Sequence, residues 1–211
     1  MNLAQMRSRV RRDLKDEDPA SYRWSDAELD RHIDRALREF SLAIPREVQA
    51  VLTTTAGSRE LSLASLSDRV VVEAVEYPRG KYPPVYVPFS LWGDTLTLLV
   101  DGAPSGGEEV VAYYGKEHTL DATTSTIPAH LEEVVAMGGE AYACLEWASF
   151  AINRVTTGGR ETWRDYLTFG ERQLAAFMAA LARYGRRGGL RARGLYRPAE
   201  PKPSQASDPG P

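Results

Sequence analysis

Cysteine is almost absent from this chain of 211 residues, since Cys144 is the only one. A single cysteine excludes an intramolecular disulfide and any zinc site made of several cysteines from one subunit. Such a composition is typical of a reducing compartment. No stretch approaches the roughly 20 apolar residues of a membrane helix, and the first residues lack the apolar core of a signal peptide. We therefore expect a cytoplasmic protein that does not enter a membrane.

Positive charge is not in excess either. The formal net charge is −3 and the pI is about 5.7, which argues against a general nucleic-acid binder. The hydrophobic fraction of 43% in 211 residues is sufficient for a domain with its own core. The sequence thus predicts a chain that folds without disulfides or structural metals.

The motifs of common catalytic sites are missing as well. The chain contains no HExxH zinc motif, no GxSxG nucleophile turn and no GxxxxGK[ST] phosphate loop. His32 lies beside the charged face of a predicted helix and is expected to be solvated, whereas His118 falls in a loop. His130 belongs to PAHLEE, which contains the HxE half of a zinc deaminase motif, but the PCxxC half is absent. We expect no catalytic or zinc-binding role for these histidines.

Carboxylates offer one further candidate site. Asp26, Asp30 and Asp34 recur at intervals of four on one predicted helix, where a cation would relieve their repulsion. Arginines such as Arg31 and Arg35 interleave with them, so a solvated and mutually compensating face is the favoured interpretation. The sequence therefore predicts no catalytic residues, no cofactor, no metal site and no enzymatic activity.

What the sequence does contain is a clear pair of N-terminal helices. Helix 1 is predicted over residues 3–14. In YRWSDAELDRHIDRALREF, residues 22–40, Ser25 and Glu28 form a capping box, and Trp24 and Leu29 occupy the positions of a hydrophobic staple. Apolar residues then recur at spacings of three and four, which predicts a helix with one buried side that ends near residues 44–45.

The middle of the chain has a different periodicity. Short β-branched runs occur at 51–55, 59–63, 70–77, 85–87, 95–100 and 108–114, separated by glycine, proline and aspartate. They predict five or six strands. Helical periodicity returns at Pro128, in a helix rich in small residues that allow another helix to approach closely, and a fourth helix precedes Tyr184.

The predicted fold class is mainly α with a β insert (α+β). Residues 1–48 and 125–184 are expected to form a four-helix bundle, and residues 49–124 a small antiparallel β-sheet or barrel-like insertion between helices 2 and 3. The predicted bundle core is Leu29, Ile33, Leu37, Leu131, Val135, Trp163, Leu167 and Leu174.

Residues 185–211 are predicted to be an arginine-rich arm followed by a disordered, Pro-rich tail. The run RYGRRGGLRARGLYRP, residues 183–198, contains six arginines and no acidic residue. Three interpretations remain open: docking on a protein, contact with nucleic-acid phosphates, or a soluble end to the preceding helix. The interspersed Leu190, Leu195 and Tyr196 favour a protein groove.

The order of elements, with RWSDAELD at 23–30 and ALREF at 36–40, resembles the head-to-tail connector, or adaptor, proteins of long-tailed double-stranded DNA bacteriophages. This resemblance implies a structural virion protein in the neck between capsid and tail. It implies self-association into a ring, normally a dodecamer, that binds the portal protein and a tail or stopper protein. Packaged DNA would pass through the channel without sequence-specific binding.

In such proteins a C-terminal segment commonly reaches the portal. The resemblance therefore implies portal docking by Arg186, Arg187, Arg191, Arg193, Tyr196 and Arg197. Loops 78–84 and 101–107 would contact the tail side. The alternatives are another phage structural protein of the tail or baseplate, an enzyme with an unrecognised carboxylate site, and a DNA-binding regulator. The regulator is disfavoured because the turn between helices 1 and 2 is about ten residues long and helix 2 begins with acids.

Overall fold

The computed structural model of the protein describes residues 1–152 and 163–185. Two helices precede six strands, and two longer helices follow. In chain order the elements are α1 (Leu3–Asp13), α2 (Asp26–Ala43), β1 (Arg46–Thr53), β2 (Glu60–Ser62), β3 (Arg69–Glu76), β4 (Phe89–Trp92), β5 (Thr95–Leu98), β6 (Glu109–Lys116), a 3₁₀ turn (Ala129–Leu131), α3 (Glu132–Ala151) and α4 (Trp163–Gly185). Among the described residues, none of the helices combines the length and apolarity needed to cross a bilayer.

The start of α2 confirms the predicted capping box. The Ser25 hydroxyl accepts a hydrogen bond from the Glu28 N–H (3.3 Å), and a Glu28 carboxylate oxygen accepts one from the Ser25 N–H (2.7 Å). Trp24 and Leu29 are both buried in the same core. Helix α1 has a second capping box, formed by Asn2 and Gln5. Both helices are therefore fixed at their first turns by local side chains.

Helix α3 is the centre of the helical core and packs against each of the other three helices. Residues 138–144 are buried without interruption, whereas a helix with one inward stripe would bury only every third or fourth residue. Gly138 permits this packing, because a Cβ there would lie 2.7 Å from the Ala36 Cβ and 3.0 Å from the Phe177 ring. Helices α1 and α4 share no extensive contact within the described residues. The prediction of a four-helix bundle is therefore not supported: three helices surround a central one.

The β region confirms a mixed α+β fold and consists of two antiparallel, three-stranded sheets. Sheet A has the order β1-β6-β3, and sheet B has the order β2-β5-β4. The segment between Val85 and Trp92 links them, since Val87 donates a hydrogen bond to the Val75 carbonyl and the Pro88 carbonyl accepts one from Leu99 (both 2.9 Å). One apolar core is shared by both sheets: Leu61, Leu63, Leu66, Val72, Val75, Leu96, Leu98, Val110 and Tyr114.

One detail of the predicted β region is wrong, and the strand pairing could not be predicted locally. Strand β1 pairs with β6 and β2 with β5, so the neighbouring runs at 51–55 and 59–63 do not pair with each other. The predicted strand at 85–87 contributes only an isolated bridge between Glu76 and Tyr86, and the regular strand β4 lies just beyond it. Partner choice depends on contacts across about 60 residues of chain, which local alternation of apolar residues does not encode.

The chain enters and leaves the β region at the same place. Arg46 at the start of β1 pairs with Lys116 at the end of β6. Immediately afterwards, the His118 N–H donates a hydrogen bond to the Ser41 hydroxyl (3.0 Å). The His118 ring nitrogens lie within hydrogen-bond distance of the carbonyl oxygens of Ile44 (Nε2, 3.0 Å) and Thr126 (Nδ1, 2.9 Å). The buried His118 therefore ties the exit of the β region to the end of α2, and burial lowers its pKa.

Candidate assembly surfaces

The sheet topology brings three loops together at the end of sheet A that is remote from the helices. Strand β1 leaves the helices and ends there, β3 ends there, and β6 begins there. Loops 54–58, 78–84 and 101–107 consequently converge, and we name them the distal loop surface. The two loops that the resemblance assigns to tail contacts are both part of it.

Hydrogen bonds at its base hold the distal loop surface in place. The Gly57 N–H donates to the Pro104 carbonyl (3.0 Å), and the Thr54 hydroxyl donates to the Ser105 carbonyl (2.5 Å). Arg79 forms an ion pair with Glu109 (2.8 Å). The loops are thus anchored near the sheet.

Large aromatic side chains project from the β region into solvent. Tyr82 on the distal loop surface is 98% exposed. Trp92, the last residue of β4 before the two-residue turn to β5, is 88% exposed. Isolated exposed aromatics of this size are favoured at protein–protein interfaces.

The face of sheet A that points away from the β core is acidic. Successive side chains of a strand point to opposite faces, which fixes the outward positions from the strand register. Glu73 is the extra residue of a β-bulge in β3 and also faces outward. We name this surface the outer face of sheet A; its outward positions are Glu47, Gln49, Val51, Thr53, Val71, Glu73, Ala74, Glu76, Glu109, Val111, Tyr113 and Gly115.

Helix α4 ends at one edge of this face. A groove of about 130 Å³ lies between the end of α2, the beginning of β1 and the last residues of α4. We name it the α4 groove; it is lined by Ala43, Ile44, Pro45, Glu47, Glu73, Gly115, Tyr184 and Gly185. The residues predicted to dock on the portal, Arg186, Arg187, Arg191, Arg193, Tyr196 and Arg197, lie outside the described residues, and the chain reaches them directly from Gly185.

The carboxylates of α2 are compensated mainly by arginines of α1. Arg7 contacts Asp30 through Nε (2.8 Å) and Nη2 (2.7 Å), and its Nη1 contacts Asp26 (2.5 Å). The buried Arg11 bonds Asp26 (2.7 Å) and Asp16 (2.6 Å). The prediction of a compensated face thus describes these carboxylates, but it missed their partners, since only the tertiary fold brings α1 beside α2.

Asp34 is the exception, because it pairs with Arg38 of its own helix (2.6 Å). Hydrogen bonds from Arg11 are the main cause of a lowered pKa at Asp26. No group of histidine, cysteine or acidic side chains in the described parts of the chain has an arrangement that would hold a metal ion. Asp26 and Asp30 join α1 to α2, whereas Asp34 makes its ion pair within α2.

The expectation that His32 is solvated is wrong. His32 is buried on α2, and its Nε2 lies 2.5 Å from a carboxylate oxygen of Glu146 on α3. Burial is the main cause of its lowered pKa, and the nearby Glu146 opposes that shift. The helix places His32 at the margin of its apolar stripe, where the neighbouring helix α3 covers it. The contact joins two helices, and among the described residues it is not part of a group of side chains that could hold a metal ion.

Glu140 is a buried carboxyl group that sequence reasoning did not single out. It lies on α3 between α1 and α4, and its Oε2 accepts a hydrogen bond from the Gln173 side chain (3.0 Å). Burial raises the pKa of Glu140 to about 8, and the neighbouring Asp13 of α1 adds to this effect while Arg9 opposes it. The position of Glu140 in the sequence did not by itself predict that its carboxyl group is buried.

The predicted bundle-core residues occupy two kinds of position. Leu29, Ile33, Leu37, Leu131 and Val135 are buried around α3. Leu174 is partly buried against the same core, and Trp163 and Leu167 are half-buried.

The family model described as SU10 adaptor protein matches residues 1–199. The match spans the helices, both sheets and the arginine-rich segment that begins after Gly185. A comparison with curated proteins gives no match.

Proposed function

The chain belongs to the SU10 adaptor family of phage structural adaptor proteins, and from this membership we propose that it is a ring-forming adaptor in the virion neck, between the portal vertex and the tail. In this role it extends the DNA channel and has no catalytic activity. Its partners are the portal protein, further copies of itself and a tail or stopper protein.

The family match through residue 199 is the observation that carries this proposal. The geometry adds support, because an adaptor needs different contact surfaces for its two neighbours. The distal loop surface and the α4 groove lie at opposite ends of β1, a strand of eight residues, and a strand of that length spans about 26 Å. A subunit in a ring also needs two different lateral faces to contact its neighbours head to tail.

We assign portal docking to the arm that follows Gly185. Residues 186–198 contain five arginines and no acidic residue. Guanidinium groups form planar, two-pronged contacts with carboxylates, which suits an acidic protein surface. The exposed Tyr82 of the distal loop surface is then our candidate for contact with the tail or stopper protein.

Electron microscopy of the purified chain mixed with its portal ring tests this function. We expect a symmetric collar at the outer end of the portal, whose symmetry also gives the copy number. A chain truncated after Gly185 should lose the collar, while Tyr82→Ala should retain it and lose attachment of the tail. A bare portal with a folded, full-length chain would refute the portal assignment, and full binding by the truncated chain would refute the role of the arm.

A DNA-binding regulator has less support from the structure. The acids at the start of α2, which would face the bases in a helix-turn-helix, are joined to α1 through Arg7 and Arg11. Duplex-DNA binding that weakens steeply with salt would nevertheless favour it.

A further inference from the structure

The outer face of sheet A is open to solvent along β1 and around Val71, and it carries uncompensated negative charge at Glu47 and Glu73; at the distal end of the face Glu76 and Val111 are covered. Val51 and Val71 on this face are 45% and 36% exposed. Glu47 and Glu73 are exposed and form no ion pair with any described residue. No lysine or arginine occupies an outward position on the three strands. The face therefore presents apolar side chains between carboxylates, a surface suited to a basic segment that also contains apolar residues.

The chain itself supplies such a segment at this place. Gly185 and Tyr184 line the α4 groove together with Glu47 and Glu73, and the residues that follow directly are Arg186 and Arg187. We propose that residues 186–198 dock on the outer face of sheet A of their own chain, with an arginine of the pair 186–187 between Glu47 and Glu73 in the α4 groove.

The length of the segment fits the length of the face. Thirteen residues, 186–198, span at most about 43 Å when extended, whereas β1 with its eight residues spans about 26 Å. The arginine pair begins beside the two carboxylates, and the interspersed Leu190 and Leu195 can reach the exposed valines. A groove of about 130 Å³ has room for one side-chain head group.

Attachment to α4 favours the chain's own segment over that of a second copy. A tether of one or two residues gives the arginine pair an effective concentration at the groove in the millimolar range or above. Arg191, Arg193, Tyr196 and Arg197 follow farther along the segment, at a greater distance in sequence from the groove. The inference concerns the isolated subunit and does not depend on the proposed portal contact.

Engineered cysteines measure this docking without any partner protein. In the full-length chain, Gln49→Cys on the outer face is combined with Leu190→Cys, and disulfide formation is titrated in a glutathione buffer. The matched control combines Leu190→Cys with Glu60→Cys, an exposed residue of sheet B. The native Cys144 does not interfere, because it is buried and burial raises the pKa of its thiol to about 12.

We expect the first pair to close within one chain with an effective concentration about tenfold or more above the control. The double substitution Glu47→Gln and Glu73→Gln should reduce the effective concentration of this cysteine pair towards the control value. A salt concentration of about 1 M should have the same effect. Equal closure of both pairs would overturn the proposal. Covalent dimers as the main product would also overturn it, in favour of docking on a neighbouring copy. Because no portal is present, neither outcome bears on the adaptor function.

Discussion

Replacement of the buried Glu140 by glutamine should change how stability depends on pH. The unfolded glutamate titrates near 4.5, whereas in the folded protein burial, assisted by Asp13, raises its pKa to about 8. The folded state therefore keeps a proton that the unfolded state loses between these values. The favourable contribution of Glu140 is complete below about pH 4.5 and is lost as pH rises towards 8.

The size of this effect follows from the pKa difference. At about 1.36 kcal/mol per pH unit, the full difference corresponds to about 5 kcal/mol, and water entry and relaxation around the charge reduce it to about 2 kcal/mol. Glutamine has nearly the shape of protonated glutamate and can still accept the hydrogen bond from Gln173. Glu140→Gln should therefore change the free energy of unfolding by less than about 0.5 kcal/mol near pH 5 and raise it by about 2 kcal/mol near pH 8.

Urea unfolding at the two pH values, followed by tryptophan fluorescence, provides the assay. Glu133→Gln is the matched control, because this residue lies on the same helix and its side chain is exposed and 3.5 Å from Arg9. It should change stability by less than about 0.5 kcal/mol at either pH. An equal effect of Glu140→Gln at pH 5 and pH 8 would refute the reasoning.

Three further perturbations test the packing of the helices. Arg11→Met should lower the free energy of unfolding by about 3 kcal/mol, because it leaves the buried carboxylate of Asp16 without its cationic partner. Arg12→Met at an exposed neighbouring position should cost less than about 0.5 kcal/mol in the same urea titration. Gly138→Ala should lower stability by about 2 kcal/mol through overpacking, measured by calorimetry; an unchanged melting temperature, as expected for Gly102→Ala, would contradict the close packing of α3. The thiol of Cys144 should react with a thiol reagent no faster than the protein unfolds, and rapid reaction in native buffer would contradict its burial.

Features set by neighbouring residues could be predicted from the sequence. The capping box of Ser25 and Glu28 and the apolar stripe of α2 depend on spacings of three and four, and both are present. The small residues of α3 predicted close helix contacts, which Gly138 makes with Ala36 and Phe177. The alternation of helical and β segments likewise predicted the α+β class.

Features that depend on residues far apart in the chain could not be predicted from the sequence. The pairing of Arg7 with Asp30 joins two helices whose orientation local spacing does not determine. The sequence of neither strand alone determines that β1 pairs with β6, about 60 residues away. The burial of His32 and Glu140 results from neighbouring helices that cover polar positions. The exposed Trp92 was equally compatible with a buried strand end.

The adjacency of Arg46 and Lys116, secured by His118, makes the β region a removable module. Its two ends meet at the helical core, so a short turn of a few residues could replace the whole β region without moving α2 or α3. Conversely, the β region can lengthen or acquire new loops while the helical core stays unchanged. A lineage could therefore change what the distal end recognises and leave the helical core as it is.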